Sequence, residues 1–387
     1  MASQLVKASV LYSAGVLRVD SVSLPPPGPL DLQIDIRSTT LCGSDLHYFN
    51  HYRNGDIIVT SPLALGHESS GIVTAVGNSI ASEWSVGDRV ALEVGLPCES
   101  CDMCKGGRYN ICAGMRFRSS AKAVPHFWGT LQETINHPAK WCHKLPPNVS
   151  YATASLIEPL SVAIHATRRT MRNGSLSPGS TVLVIGAGAV GLLVAAMAKL
   201  SGASRIIITD INQGRVDFAI KEGFATHGYT VVTPAKHPET IEVKLAVAKD
   251  VAANICKAVE RGGGIDVTFE CTGMESCVQT GIYATRPGGT LLLIGMGTPI
   301  QTLPISAAAV REIDILGGFR YANTYPTGIE IVAKGLIPGL EKIVTHTYEG
   351  LDQVEKAFGM AGRQRDPEGR LVIKVECAFP GKGEAIV

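Results

Sequence analysis

Between Val182 and Ala198 the chain reads VLVIGAGAVGLLVAAMA, an apolar run that approaches the length of a membrane span. Its internal pattern points elsewhere. Pro178 and Gly179 make a turn, TVLVI is a β-branched run of strand length, three glycines follow, and a Leu/Ala/Met stretch of helical character ends near Gly202. The reading is strand, turn, helix. RIIITD then supplies a second strand, and fully apolar strands of this kind suit a parallel sheet covered on both faces.

The turn itself is GAGAVG, with Gly186, Gly188 and Gly191 in G-x-G-x-x-G spacing. That spacing is common; the strand before it and the helix after it give it meaning. The first glycine allows the tight turn, the second lets a pyrophosphate approach the backbone, and the third lets helix and strand pack closely, with the helix N-terminus facing the anion. Val190 sits inside the same turn and counts with the glycines as cofactor-binding. Asp210 ends the next strand, where a carboxylate accepts hydrogen bonds from ribose hydroxyls. A 2′-phosphate would meet like charge there, and the nearby cation, Arg215, lies one helical turn further on, so NAD is expected over NADP. A strand-terminal Asp that only caps the next helix is the alternative.

A chain of 387 residues, 45% hydrophobic and 18% charged, can bury a large core and suggests two domains or one elaborated one. Its 35 basic and 34 acidic residues leave a formal charge of +1, with no Lys/Arg block to neutralise a row of phosphates, which argues against nucleic acid as a partner. MASQLVKASVLYSAG carries no basic region followed by an unbroken apolar run, and GEAIV matches no retention or lipidation signal. The expected setting is the cytoplasm, with no membrane partner.

Ten cysteines without a visible secretory signal point to thiols and metal ligands rather than disulfides. Four fall in CESCDMCKGGRYNIC: Cys98, Cys101, Cys104 and Cys112. C-x-x-C spacing lets neighbouring thiolates converge, and the loop before Cys112 returns to close a tetrahedral shell. Four sulfurs leave no open position, so a zinc here organises a loop and does no catalysis; the alternative is a surface loop of unmetallated thiols. Cys142, Cys256, Cys271, Cys277 and Cys377 are scattered and read as buried small hydrophobes.

Chemistry at a metal needs an open position, and its ligands must lie elsewhere. LCGSDLHYF places Cys42 beside Ser44, Asp45 and His47, and LGHESSG puts His67 and Glu68 after a glycine. A soft thiolate with an imidazole is a zinc-like pair, and a carboxylate from a third segment would leave the fourth position free. LIEPLSVAIHA offers Glu158, a charge inside an apolar run, where charges are usually paired or liganding. Singly, each has a plainer reading as a core Cys, a satisfied His or a helix-capping Glu.

Taken in order, CGSDLHYF, LGHESSG, VGDRVALE, CESCDMCKGGRYNIC, IEPLSVAIHA, GAGAVG, ECTG and GGFRYANTYP span nearly the whole chain, and together they resemble the zinc-dependent medium-chain alcohol and polyol dehydrogenases. Glu158, where simple alcohol dehydrogenases usually carry a cysteine, and FRYANTYP point to the polyol branch of sorbitol (L-iditol), xylitol and arabinitol dehydrogenases. The resemblance implies an α/β chain of two parts. One is a GroES-like β-barrel catalytic domain from 1–160 and 304–387, with a structural zinc lobe at 95–115. The other is a Rossmann domain at 161–303, a doubly wound parallel sheet that binds NAD.

The same resemblance implies two zinc ions per chain: a structural one on the four-cysteine lobe, and a catalytic one on Cys42, His67 and Glu158, with Glu68 as a neighbouring carboxylate that exchanges in and out. Ser44 and His47 are expected to relay a proton outward by way of the cofactor ribose, Asp45 to hold the second nitrogen of His67, and Arg370 to pair with Glu68. Tyr48, Arg320 and Tyr321, together with Glu158, are expected to face the substrate, whose row of hydroxyls such polar groups select, and Phe117 to line the pocket. For Arg320 the alternative is a subunit or cofactor contact. A homotetramer is implied, and the stretch 223–264, longer than in close polyol relatives, is expected to be a surface elaboration without a chemical role.

The expected activity is reversible oxidation of a secondary hydroxyl of a sugar alcohol to a ketose with NAD. A zinc dehydrogenase for a diol or another secondary alcohol is the second reading; Glu158 and FRYANTYP count against it. A catalytically idle zinc- and NAD-binding protein is the third, and intact Cys42, Ser44, His47, His67 and Glu158 count against that.

Overall fold

The computed structural model describes residues 3–232, 240–258 and 264–381. The chain falls into two units, Met1–Glu158 with Ala322–Gly335 and Leu340–Val387, and Pro159–Tyr321 with Leu336–Gly339.

In the second unit the apolar run resolves into the strand Thr181–Ile185, buried at every position, and the helix Ala189–Leu200, followed by the strand Arg205–Asp210. Six strands form one sheet in the order His227–Thr230, Arg205–Asp210, Thr181–Ile185, Ile265–Glu270, Thr285–Leu293, Asp314–Gly317, and every pairing is parallel. This doubly wound order reverses direction between Thr181–Ile185 and Ile265–Glu270, the place where such sheets bind ligands beyond their strand ends. Of the stretch 223–264, residues 233–239 and 259–263 lie outside the described residues. The helix Ile241–Ala258 within it sends Ala252 and Ile255 into a cluster with Leu183, Ile207 and Ile265, so this helix is part of the core rather than a surface addition. No helix among the described residues is long and apolar enough to cross a membrane.

The first unit is built on a seven-stranded sheet. Its order is Cys142–Lys144, Arg89–Leu92, Glu68–Val76, Asp31–Thr40, Lys374–Ala378, Val344–Glu349, with Thr134–Pro138 also paired to Asp31–Thr40. In DLQIDIRSTT the buried positions alternate through Leu32, Ile34, Ile36 and Ser38, and then Thr39 and Thr40 are buried as well. Alternation stops where the strand loses its solvent face, and the residues there are hydroxyls that must find partners. Thr40 lies opposite Glu68 on one neighbouring strand and Glu376 on the other, and Cys42 follows at once as the N-cap of the helix Gly43–His51. Two strand ends, the middle of a third strand and a helix start thus meet at one place.

Gly66 makes the last adjustment. Its φ is +92°, and a Cβ there would sit 2.8 Å from Thr39 Cγ2 and 3.0 Å from Leu131, so only glycine lets the chain pass from Leu63–Ala64 to His67.

Candidate active site and metal centres

Cys42, His67 and Glu68 bring a thiol, an imidazole and a carboxylate within 4.8 Å of one another, with His67 and Glu68 buried and Cys42 half-buried. This mixture of soft and borderline donors suits zinc. His67 Nδ1 donates to Asp45 Oδ1 at 3.2 Å, which fixes the tautomer and leaves Nε2 as the lone pair for a metal. Asp45, with no exposed surface, also accepts from Ser119 Oγ at 2.6 Å, from Gly66 N at 3.2 Å and from Cys42 N at 3.1 Å. Burial alone would raise its pKa, but His67 and these donors overbalance it and hold the carboxyl below its ordinary value. Burial likewise disfavours a charged His67, yet Asp45 beside it moves that imidazole well above its ordinary value. A metal would bind at Nε2 while Asp45 keeps hold of the proton on Nδ1.

Glu68 is fixed from two sides. Thr40 Oγ1 donates to one carboxylate oxygen, and Lys374 Nζ donates to the other at 2.7 Å while also bonding Leu41 O at 3.0 Å. Burial works against the Lys374 charge, but Glu68, Cys42 and Glu158 together raise its pKa. The expected pairing of Arg370 with Glu68 is corrected here. Arg370 lies before the strand, with its side chain 70% exposed, and its Nε and backbone N bond Asp366 at 2.5 and 2.7 Å; Lys374, four residues on and first in the buried strand, is the partner.

Glu158 stands buried on the first turn of the helix Ile157–Arg172, outside the 4.8 Å group but close enough for its field to reach Lys374. Ser44 is half-buried and His47 exposed on the helix Gly43–His51. Tyr48, on the same helix, is buried and its hydroxyl accepts from Ala121 N at 3.4 Å. Phe117 places its ring 5.5 Å from that of His67. Arg320 and Tyr321 belong to the other unit, where Arg320 has φ +49° and lies over the Phe319 ring at 4.8 Å, and Tyr321 is buried.

The four cysteines converge as their spacing suggested, all four sulfurs within 4.8 Å of one another. Thiolates about 2.3 Å from a tetrahedral zinc would be roughly 3.8 Å apart; Cys98 and Cys104 lie 4.0 Å apart, Cys101 and Cys104 3.5 Å. Bonds from the Ser100 side chain and nearby amides lower the Cys98 thiol to about 6, whereas burial and the neighbouring sulfurs raise Cys104 to about 12. Tyr109 ties the lobe down, donating to Glu93 at 2.6 Å and accepting from Asn323 N at 2.7 Å.

In the second unit each glycine of GAGAVG has a distinct surrounding. Gly186 has φ +101°; a Cβ on Gly191 would fall 1.8 Å from Gly186 O; a Cβ on Gly188 would meet nothing within 4 Å. Open space in front of Gly188, at the N-cap of Ala189–Leu200, is what an approaching pyrophosphate needs. Val190 follows in that helix's first turn. Asp210 accepts from Ala187 N at 2.8 Å and Asn212 N at 2.9 Å; the N-cap of the next helix, which carries the half-buried Arg215, is Asn212. The carboxylate therefore braces the glycine turn rather than capping that helix.

Thr40, Ser119 and Lys374 were not singled out from sequence. Lys374 had a usable signal, a lone cation in the apolar run LVIKVECAF, the same signal that marked Glu158; Thr40 and Ser119 had none.

Two family models match the chain, "Alcohol dehydrogenase GroES-like domain" over residues 28–147 and "Zinc-binding dehydrogenase" over 189–334. A sorbitol dehydrogenase of Gallus gallus is 40% identical over 351 residues, 91% of this chain and 92% of that one. An Emericella nidulans protein named "Probable D-xylulose reductase A" is 40% identical over 371 residues, 95% of each chain. A Sinorhizobium meliloti 1021 protein crystallised with NADP shares the fold at a TM-score of 0.80 and 25% identity, over 97% of this chain and 99% of that one.

Proposed function

We infer the activity from lineage and site together: the chain belongs to the polyol branch of the zinc-dependent medium-chain dehydrogenases, and it is a zinc polyol dehydrogenase that takes a secondary hydroxyl of a sugar alcohol to a ketone with a nicotinamide cofactor, reversibly. The observation that carries this is the Cys42, His67 and Glu68 group, set in a chain 40% identical to a sorbitol dehydrogenase over 91% of its length.

Bound zinc supplies the Lewis acidity that brings a hydroxyl proton within reach of neutral pH, and the nicotinamide accepts the hydride. Everything else falls to side chains. Cys42 and His67 hold the metal, with Glu158 or Glu68 as the carboxylate; Asp45 keeps the His67 proton on Nδ1. Thr40 and Lys374 orient the buried Glu68 carboxylate through hydrogen bonds to its two oxygens. Ser44, half-buried, and His47, exposed, lie about one turn apart on a single helix and offer a departing proton a polar route to water. We assign NAD rather than NADP because Asp210 would repel a 2′-phosphate, a second, structural zinc to the four cysteines, and substrate hydroxyls to Tyr48, Arg320 and Tyr321, with Phe117 as an apolar substrate contact.

Steady-state rates with sorbitol, xylitol, arabinitol, iditol and short secondary alcohols test the reading. A polyol should be preferred, with NAD over NADP by more than about tenfold, roughly 1.4 kcal/mol. Arg320→Ala should cost polyols about 30- to 1000-fold, the worth of a charged hydrogen bond of roughly 2–4 kcal/mol, and short alcohols much less. Preference for a short alcohol over every polyol would favour the diol or simple secondary alcohol reading. Absence of hydride transfer to any alcohol by zinc-loaded protein would leave only a binding protein.

A further inference from the structure

Asp45 is held by more than the ligand it supports. Ser119 Oγ donates to Asp45 Oδ1 at 2.6 Å and accepts from Gly66 N at 3.0 Å, so one hydroxyl ties the carboxylate behind His67 to the residue immediately before it. The His67 bond to the same oxygen is longer, 3.2 Å. Ser119 is nearly fully buried and has φ +62°, a left-handed backbone that L side chains adopt at a cost and that persists only where the surroundings enforce it.

Those surroundings are visible. Ser119 N donates to Phe127 O at 2.9 Å. Arg118, buried, donates through Nε to His137 Nδ1 at 3.1 Å and through its terminal nitrogens to Trp128 O at 3.0 Å and Asn136 O at 2.5 Å, with its guanidinium 4.6 Å from the Phe127 ring centre. His137 in turn donates Nε2–H to Glu93 O at 3.1 Å. Immediately before Arg118 in the same segment, Phe117 places its ring centroid 5.5 Å from that of His67. The segment 117–119 therefore grips His67 from its ring face and from behind its carboxylate partner.

We propose that Ser119 is a positioning residue for the catalytic metal: its hydroxyl fixes the Asp45 oxygen that orients His67, and it thereby sets zinc affinity at the Cys42 and His67 site. Partners standing behind a metal-bound imidazole are typically worth about 10- to 100-fold in metal affinity. This rests on the reading that Cys42 and His67 hold zinc, and the test separates the two.

Zinc-depleted wild type, Ser119→Ala and Ser119→Gly are titrated with zinc against a chromophoric chelator, and with cobalt(II) while the thiolate charge-transfer absorption is followed; urea unfolding is measured on the same samples. Ser119→Gly removes the hydroxyl while relieving the left-handed backbone, so it should be at least as stable as Ser119→Ala. Both variants should bind zinc about 10- to 100-fold more weakly at the open site, with an altered cobalt spectrum and unchanged retention at the four cysteines. Affinity within about twofold of wild type in both variants would overturn the role. Loss in Ser119→Ala with recovery in Ser119→Gly would overturn it in favour of backbone strain alone. Wild type without a mixed thiolate and imidazole cobalt spectrum would remove the premise itself.

Discussion

The four-cysteine lobe takes all its donors from Cys98–Cys112, while the Cys42, His67 and Glu68 group leans on Thr40, Ser119 and Lys374, the last of them 306 residues from Glu68. In the lobe the donors face one another, sulfur to sulfur at 3.5 and 4.0 Å. In the open group they are held from outside, His67 by Asp45, Glu68 by Thr40 and Lys374. A closed shell fixes its own geometry once a metal binds. An open one has a position to spare, so its geometry must be imposed by the fold, and that requirement is met by buried polar residues with no solvent to fall back on.

The largest expected effect lies in the open group. Cys42→Ala or His67→Ala should remove one zinc and lower polyol oxidation by about 10³-fold or more, since roughly 4 kcal/mol of Lewis-acid stabilisation is forfeited; metal analysis beside steady-state rates checks it. Retention of full activity would mean that the chemistry does not run through this group. Lys374→Met should cost about 3–5 kcal/mol in urea unfolding because Glu68 is left buried without its cation, and adding Glu68→Gln should return part of that loss.

Effects in and around self-contained regions should be smaller. Cys104→Ser should release the lobe zinc and lower the unfolding temperature by several degrees, yet leave turnover at 25 °C nearly intact; a parallel collapse of turnover would show that the two groups are not separable. Asp366 offers a pH test at the turn before Lys374. Burial raises its pKa, but bonds from His346 and Arg370 and the Arg370 charge pull it well below the ordinary range. A depressed folded pKa gives stability that is present above the unfolded value of about 3.9 and is lost as pH falls through the folded value. The stability gap between wild type and Asp366→Asn should therefore be widest near neutrality and close in acid; a gap independent of pH would count against the bond network.

The smallest effect is a matched control. Glu99 on the lobe and Lys140 outside it are also 2.7 Å apart, but the side chains of Lys140 and Glu99 are 65% and 47% exposed, against 6% and 1% for Lys374 and Glu68. Lys140→Met should cost about 0–1 kcal/mol. A cost equal to that of Lys374→Met would show that burial is not what separates the pairs.

The same contrast explains what could be read from sequence. Cys98 to Cys112 and the GAGAVG turn are local: chain geometry brings the groups together, so spacing alone announces them. Cys42, His67, Glu68 and Glu158 were visible as residue types, but the grouping of the first three depends on strand register, and metal-binding donors drawn from separate segments carry no spacing signal; only family resemblance joined them. Arg370 and Lys374 differ by four positions, and which one reaches Glu68 depends on where the buried strand starts, a matter settled by Asp366 capturing Arg370 in the preceding turn. Ser119 is one serine among many until its hydroxyl is seen against Asp45.

The separation between Glu68 and Lys374 also has a tempo. At roughly 5–20 residues per second of synthesis, a carboxylate that waits 306 residues for its cation waits about 15–60 s on the ribosome. Thr40, Cys42, Asp45, His67 and Ser119 have all emerged long before that. Until Lys374 has been synthesised, Thr40 is the one of these two partners available to Glu68.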